Sequence, residues 1–144
     1  MEFTEGDLKG KMERDTRGNI CSIGSDLVSV GRIREVTVKF GERFITRVFT
    51  GQERRYCAAR RDPYPCYAAR FAAKEAVLKA LGTGLTAGCS WRNVEIVPGR
   101  QGVPQVQLYG RAALLARERG IKKFLITLSH DDLYAVAFAV ALGD

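Results

Sequence analysis

Three side chains in this 144-residue chain have the types and the spacing to do ionic chemistry together: Asp26, Glu75 and Lys79. Asp26 stands near the end of the apolar run ICSIGSDLV, residues 20–28, where a carboxylate contributes nothing to a core. Glu75 lies inside the largely apolar stretch FAAKEAVLK, residues 71–79, and Lys79 follows it by four residues. On a helix the two therefore emerge on one face, a turn apart. One or two carboxylates from separate elements, completed by water and phosphate oxygens, are what a magnesium ion usually accepts. The commoner fate of such residues is an i,i+4 ion pair and an exposed acid at a strand end. On residue types alone, both readings stand.

The elements that must position these groups follow from period and punctuation. ICSIGSDLV reads as a short strand. From Ser29 onwards, Val30, Ile33, Val36 and Phe40 recur at helical spacing with arginines opposite; Gly41 stops that helix, and residues 43–48 make another short turn. Thr50-Gly51-Gln52-Glu53 matches a capping box, opening a helix towards Arg60. Asp62-Pro63-Tyr64-Pro65 breaks the chain. Residues 67–81, rich in Ala, Leu, Lys and Glu, form the longest and central helix, closed by Gly82-Thr83-Gly84. Residues 93–97 and 103–109 flank a Gly-containing turn as a β-hairpin. A helix over 111–119 and two strands, 123–129 and 133–142, bent around His130-Asp131-Asp132, complete the chain.

Helices mixed with hairpin-connected strands, with no repeat and no linker, predict an α+β domain: a small antiparallel sheet packed with the long central helix. Residues 1–18 are polar, mixed in charge and without period, and read as a tail, disordered or appended; residues 19–144 read as the single domain.

Composition narrows the class. At 46% hydrophobic and 27% charged residues the chain is an ordinary globular one, long enough for a real core. No apolar run is fit to span a bilayer, and the N-terminal residues have no apolar secretory region, so the cytoplasm is the expected location. The four cysteines, Cys21, Cys57, Cys66 and Cys89, form no C-x-x-C pair and stand far from the single histidine, His130. That excludes a zinc set and predicts free thiols with structural roles. The net charge is +7, and between Arg32 and Arg61 nine basic residues face three acids. Such a stretch steers in an anionic partner, nucleic acid or an acidic protein, unless it is only a solvated helix face.

The wording of the sequence goes further. Ile23-Gly24-Ser25-Asp26-Leu27-Val28, Arg47-Val48-Phe49-Thr50, and the block from Arg70-Phe71-Ala72-Ala73-Lys74-Glu75-Ala76 to Lys79-Ala80-Leu81-Gly82-Thr83-Gly84 resemble the bacterial holo-acyl-carrier-protein synthases. Those enzymes belong to the 4'-phosphopantetheinyl transferases. Ser90-Trp91-Arg92-Asn93-Val94-Glu95-Ile96, Leu128-Ser129-His130 and Tyr134-Ala135-Val136-Ala137 continue the match in order, from about Ile20 to the C-terminus.

The resemblance implies a 4'-phosphopantetheinyl transferase fold and a magnesium-dependent reaction, with Mn2+ as a possible substitute. Phosphopantetheine would pass from coenzyme A to a serine of apo acyl carrier protein, releasing adenosine 3',5'-bisphosphate and activating the carrier for fatty acid biosynthesis. It places the metal on Asp26 and Glu75, and catalysis on Glu75 and Lys79. Coenzyme A contacts fall on Arg70, Lys79, Gly82, Thr83, Gly84, Ser129 and His130, and carrier contacts on Arg32, Arg43 and Arg47. It also implies a homotrimer with active sites between subunits. The basic stretch thereby gains an acidic protein partner, and neither membrane nor nucleic acid is expected. His130 would contact phosphate or adenine; its plain alternative is a hydrogen-bonded turn residue. Trp91 and the alternation Phe124, Ile126, Leu128 read as core.

Three departures from the family pattern stand out. Ser22 replaces a common glycine, Gly102-Val103-Pro104 lacks the usual central lysine, and residues 1–18 have no counterpart. None removes a metal ligand. A nucleic-acid-binding protein would explain the charge but not the two acids or the helix block, and a non-catalytic carrier scaffold would require a lost ligand.

Overall fold

The computed structural model describes residues 19–82 and 84–144; the tail read over residues 1–18, and Thr83, lie outside the described residues. Five strands and five α-helices are built from them: β1 (Ile20–Ser29), α1 (Val30–Phe40), α2 (Glu42–Val48), α3 (Gly51–Ala58), α4 (Tyr64–Leu81), β2 (Val94–Pro98), β3 (Pro104–Leu108), α5 (Gly110–Glu118), β4 (Lys123–His130) and β5 (Tyr134–Leu142). Strands β1, β5 and β4 form an antiparallel sheet in that order, and β2 with β3 forms a separate hairpin, so the expected α+β architecture is the observed one.

Helix α4 is the organising element, and the sequence explains how it comes so close to the sheet. Ala68, Ala69, Ala72, Ala73, Ala76 and Ala80 are buried along it, and Ala135, Ala137, Ala139 and Ala141 are buried on β5. Small side chains on both surfaces let the backbones approach. Gly24 marks the tightest point, because a Cβ there would run into the carbonyl oxygen of Ala76. Two residues earlier, the Ser22 hydroxyl donates to the Ala80 carbonyl, a further tie between β1 and α4.

Among the described residues, no element covers the opposite face of the sheet. Ile23, Leu27, Leu125, Tyr134 and Phe138 are exposed, each by half or more. Alternation along the strands sends Asp26 and Val28 inward and Ser25 and Leu27 outward.

Two local expectations need correcting. Pro63 and Pro65 do not break the chain ahead of a helix at residue 67; they begin it, since α4 starts at Tyr64 with a proline in its first turn. A missing N–H is tolerated there, and the Asp62 side chain accepts the Tyr64 N–H at 3.1 Å. Nor are all four cysteines free: Cys57 of α3 and Cys66 of α4 are joined in a disulfide, with Cα atoms 5.5 Å apart. The chain reverses between the two helices, so residues nine apart in sequence face each other in the core. Cys21 and Cys89 are free as expected. The capping box at Thr50 and Glu53 forms as read. Among the described residues no helix is long and apolar enough to cross a membrane.

Candidate active site

Asp26 is carried by β1 into the gap beside α4, where it is largely shielded. Lys79, on the last turn of α4, donates to Asp26 Oδ1 at 3.1 Å and to the Ser25 carbonyl at 2.9 Å. The i,i+4 pair between Glu75 and Lys79 is therefore not formed: the close approach of β1 gives the lysine a nearer acid. Glu75 instead accepts a hydrogen bond at Oε1 from the indole N–H of Trp91, at 2.8 Å. Asp26 and Glu75 open on one cavity of about 520 Å³, with Ser29, Arg32, Phe71 and Tyr134 also on its walls. Asp26 Oδ2 and Glu75 Oε2 make no hydrogen bond among the described residues.

The turn from β1 into α1 places the first arginine. Ser29 caps α1 by accepting the Arg32 N–H at 3.2 Å, and the Val30 N–H donates to the Leu133 carbonyl at 2.9 Å. Arg32 thus stands, exposed, on the rim of the acidic cavity. Arg43 and Arg47, one turn apart on α2, border a neighbouring cavity of about 460 Å³ walled by Val36, Phe40, Phe44 and Trp91.

A buried ion pair supports this corner. Lys74 is wholly buried with its Nζ 2.7 Å from Glu53 Oε1, and it donates to the carbonyls of Trp91, at 3.0 Å, and Val94. Glu53 also accepts the N–H groups of Thr50 and Ile96, each at 2.9 Å. Burial holds the Lys74 ammonium below the usual lysine range, opposed chiefly by the Glu53 carboxylate. Glu95, also buried, accepts from Tyr109 and Thr50.

Arg70 and His130 meet elsewhere, in a cavity of about 250 Å³ that Tyr56 and Arg60 also line. The Arg70 guanidinium lies 4.0 Å from the centre of the Tyr56 ring and donates to Cys66 Sγ at 3.5 Å. Its Nε is buried without a partner among the described residues, and burial lowers its pKa, with Tyr56 opposing. Arg60 covers the same ring at 4.2 Å and donates to the Tyr56 hydroxyl at 2.6 Å. Ser129 points to the open face of the sheet, level with Val136 and Leu27. Gly82 ends α4 at φ 87°, and a side chain there would meet the Arg119 guanidinium.

One chain therefore joins Asp26, Glu75, Lys79 and Arg32, and keeps Arg70 and His130 apart from them. Two residues bordering this corner carry no site role in the sequence reading. Trp91, read as core, does pack against the core, and its indole also bonds Glu75; Lys74, given no role, is the buried cation from which the Trp91 carbonyl accepts. A lysine inside an apolar helical window is itself a signal of a buried pair, because lysine is almost never enclosed alone.

Residues 22–139 match the model of the 4'-phosphopantetheinyl transferase superfamily. The chain is 56% identical over 124 residues to a holo-[acyl-carrier-protein] synthase of Desulforudis audaxviator, covering 86% of this chain and 94% of that one. Among solved structures it is similar to the holo-[acyl-carrier-protein] synthase of Neisseria meningitidis, with a TM-score of 0.77 and 37% identity over 85% of this chain and 98% of the other. It is also similar to the Helicobacter pylori synthase in complex with coenzyme A, with a TM-score of 0.73 and 28% identity over 83% of this chain and 98% of that one. The chain belongs to the 4'-phosphopantetheinyl transferase superfamily, and within it to the holo-[acyl-carrier-protein] synthases.

Proposed function

We propose that this enzyme transfers 4'-phosphopantetheine from coenzyme A to a serine of an apo acyl carrier protein, in the cytoplasm, with magnesium held between Asp26 and Glu75. The observation that carries this reading is the shared cavity onto which those two acids open from β1 and α4, with Arg32 on its rim. The donor set fits the ion. Both ligands are hard carboxylate oxygens, each acid keeps one oxygen without a hydrogen bond among the described residues, and the remaining positions suit phosphates and water. Mn2+ accepts the same ligands.

In the reaction the carrier serine oxygen attacks the pyrophosphate phosphorus that bears pantetheine. The bond from that phosphorus to the bridging oxygen breaks, and adenosine 3',5'-bisphosphate leaves with the bond electrons. Bound magnesium supplies charge neutralisation on the pyrophosphate. Lys79, tethered to Asp26 and the Ser25 carbonyl, presents its ammonium to the same phosphates. Glu75 is our candidate to receive the serine proton through an intervening water.

Arg70 and His130 suit the nucleotide phosphates of the donor, and Gly82, Thr83, Gly84 and Ser129 are our further candidates for coenzyme A contact. Their separation from Asp26 and Glu75 within one chain supports a site shared between subunits of a homotrimer. So does the apolar sheet face left exposed among the described residues, which carries Ser129 among Leu27, Tyr134 and Phe138. The test is transfer of labelled pantetheine from coenzyme A to apo carrier protein. It should require magnesium or manganese and stop on chelation; no transfer to several apo carriers would refute the reading.

Arg32, with Arg43 and Arg47, is our docking site for the acidic carrier. Arg32→Glu should raise the KM for carrier protein by roughly tenfold at low salt, leave kcat nearly unchanged, and differ less from the parent as salt rises. An unchanged carrier KM at low salt would remove Arg32 from the docking surface.

A further inference from the structure

We propose that Trp91 is a positioning residue for the metal site: its indole N–H fixes Glu75 Oε1 so that Oε2 is turned to the cavity. The inference rests on Glu75 as a metal ligand and adds what orients it. Three observations converge on the indole. Its N–H donates to Glu75 at 2.8 Å, and no other described side chain bonds that carboxylate, since Lys79 is committed to Asp26. Its ring packs on Phe71, with centroids 6.1 Å apart.

Its backbone is anchored twice. The Trp91 carbonyl accepts from the buried Lys74, which Glu53 holds in turn. The short 3-10 turn Trp91–Asn93 is locked by the Asn93 side chain on the Ser90 N–H at 3.0 Å, and by the Tyr109 N–H on the Asn93 carbonyl at 2.8 Å. A rigid donor on one carboxylate oxygen removes the rotational freedom that a metal would otherwise have to freeze, and it sets which lone pairs face the ion. Partners of this kind typically change metal affinity by about 10- to 100-fold.

Trp91 is the only tryptophan of the chain, so its indole 15N–1H resonance is a single, assigned reporter. The experiment titrates Mg2+ into full-length enzyme saturated with coenzyme A, without carrier, following binding by calorimetry and the indole peak by NMR. Trp91→Phe retains an aromatic ring against Phe71 while removing the indole N–H donor and part of the ring's volume. We expect its Mg2+ affinity to be roughly tenfold weaker. The magnesium needed for half-maximal transfer should rise by the same factor, with the carrier KM unchanged at saturating magnesium. In the parent the indole peak should move saturably with Mg2+ binding. Parental Mg2+ affinity in Trp91→Phe overturns the proposal. If that variant does not fold, an indole peak that stays still while Mg2+ binds to the parent overturns it equally. Parental Mg2+ affinity in Glu75→Gln is a different failure: it removes Glu75 from the metal, and the positioning role with it.

Discussion

Glu75→Gln should lower kcat/KM for phosphopantetheine transfer by roughly a thousandfold or more, while the melting temperature stays within a few degrees of the parent. The substitution is close to isosteric, and an amide oxygen can still accept the Trp91 indole N–H, so the packing around residue 75 persists. What disappears is one formal charge facing the cavity. A metal site stabilises the transition state by several kcal/mol, and each ~1.36 kcal/mol is a factor of ten in rate. Excess magnesium should recover only a small part of the loss. Asp26→Asn should be comparably inactive, and it also frees Lys79 from its acid. Full activity with parental magnesium dependence in Glu75→Gln would refute the ligand and base roles together.

The two acids illustrate what a sequence can and cannot say about such a site. That Asp26 lies near the end of a strand and Glu75 rides the long helix is written in local pattern; the structure keeps both, with β1 running on to Ser29 past the acid. The main elements were equally legible: alternation marks β1, helical spacing marks α1, and the Thr50 capping box opens α3. Which partner each acid takes was not. Helical spacing nominates Lys79 for Glu75, but Lys79 pairs with Asp26, because Gly24 and the alanines of α4 bring β1 within reach. Glu75 finds a donor sixteen residues away, on a turn whose position depends on the hairpin docking under α4. No periodicity encodes that distance.

The disulfide shows the same limit. Cys57 and Cys66 are separated by a spacing that suits no motif, and only the reversal at Asp62-Pro63 makes them neighbours. Prolines that look like a break between helices mark the first turn of one, since a breaker and an N-terminal residue share the lack of an N–H.

The largest stability effect should come from a residue that touches no substrate. Lys74→Met should lower the melting temperature by roughly 10 to 15 °C. Removing one partner of a buried ion pair leaves the other charge uncompensated, at a cost of about 3–5 kcal/mol, and each kcal/mol moves the midpoint of a chain this size by about 2–4 °C. Glu53 and Lys74 are both fully enclosed, 2.7 Å apart, so neither finds water when its partner is lost. Methionine fills most of the lysine volume, which confines the change to charge and hydrogen bonding. Adding Glu53→Gln should recover part of the loss, since it removes the stranded charge. Recovery stays incomplete, because a glutamine oxygen cannot replace both carboxylate oxygens that accept the Thr50 and Ile96 N–H groups. Thermal melting of the single and double variants measures both steps. A single variant within about 2 °C of the parent would mean that the pair is not what holds α3 and the hairpin to α4. The Trp91 carbonyl is freed in the same step, so any Lys74→Met protein that still folds should also bind magnesium more weakly. Loss of stability and loss of metal affinity would then share one cause: the buried cation beneath the turn that presents Trp91 to Glu75.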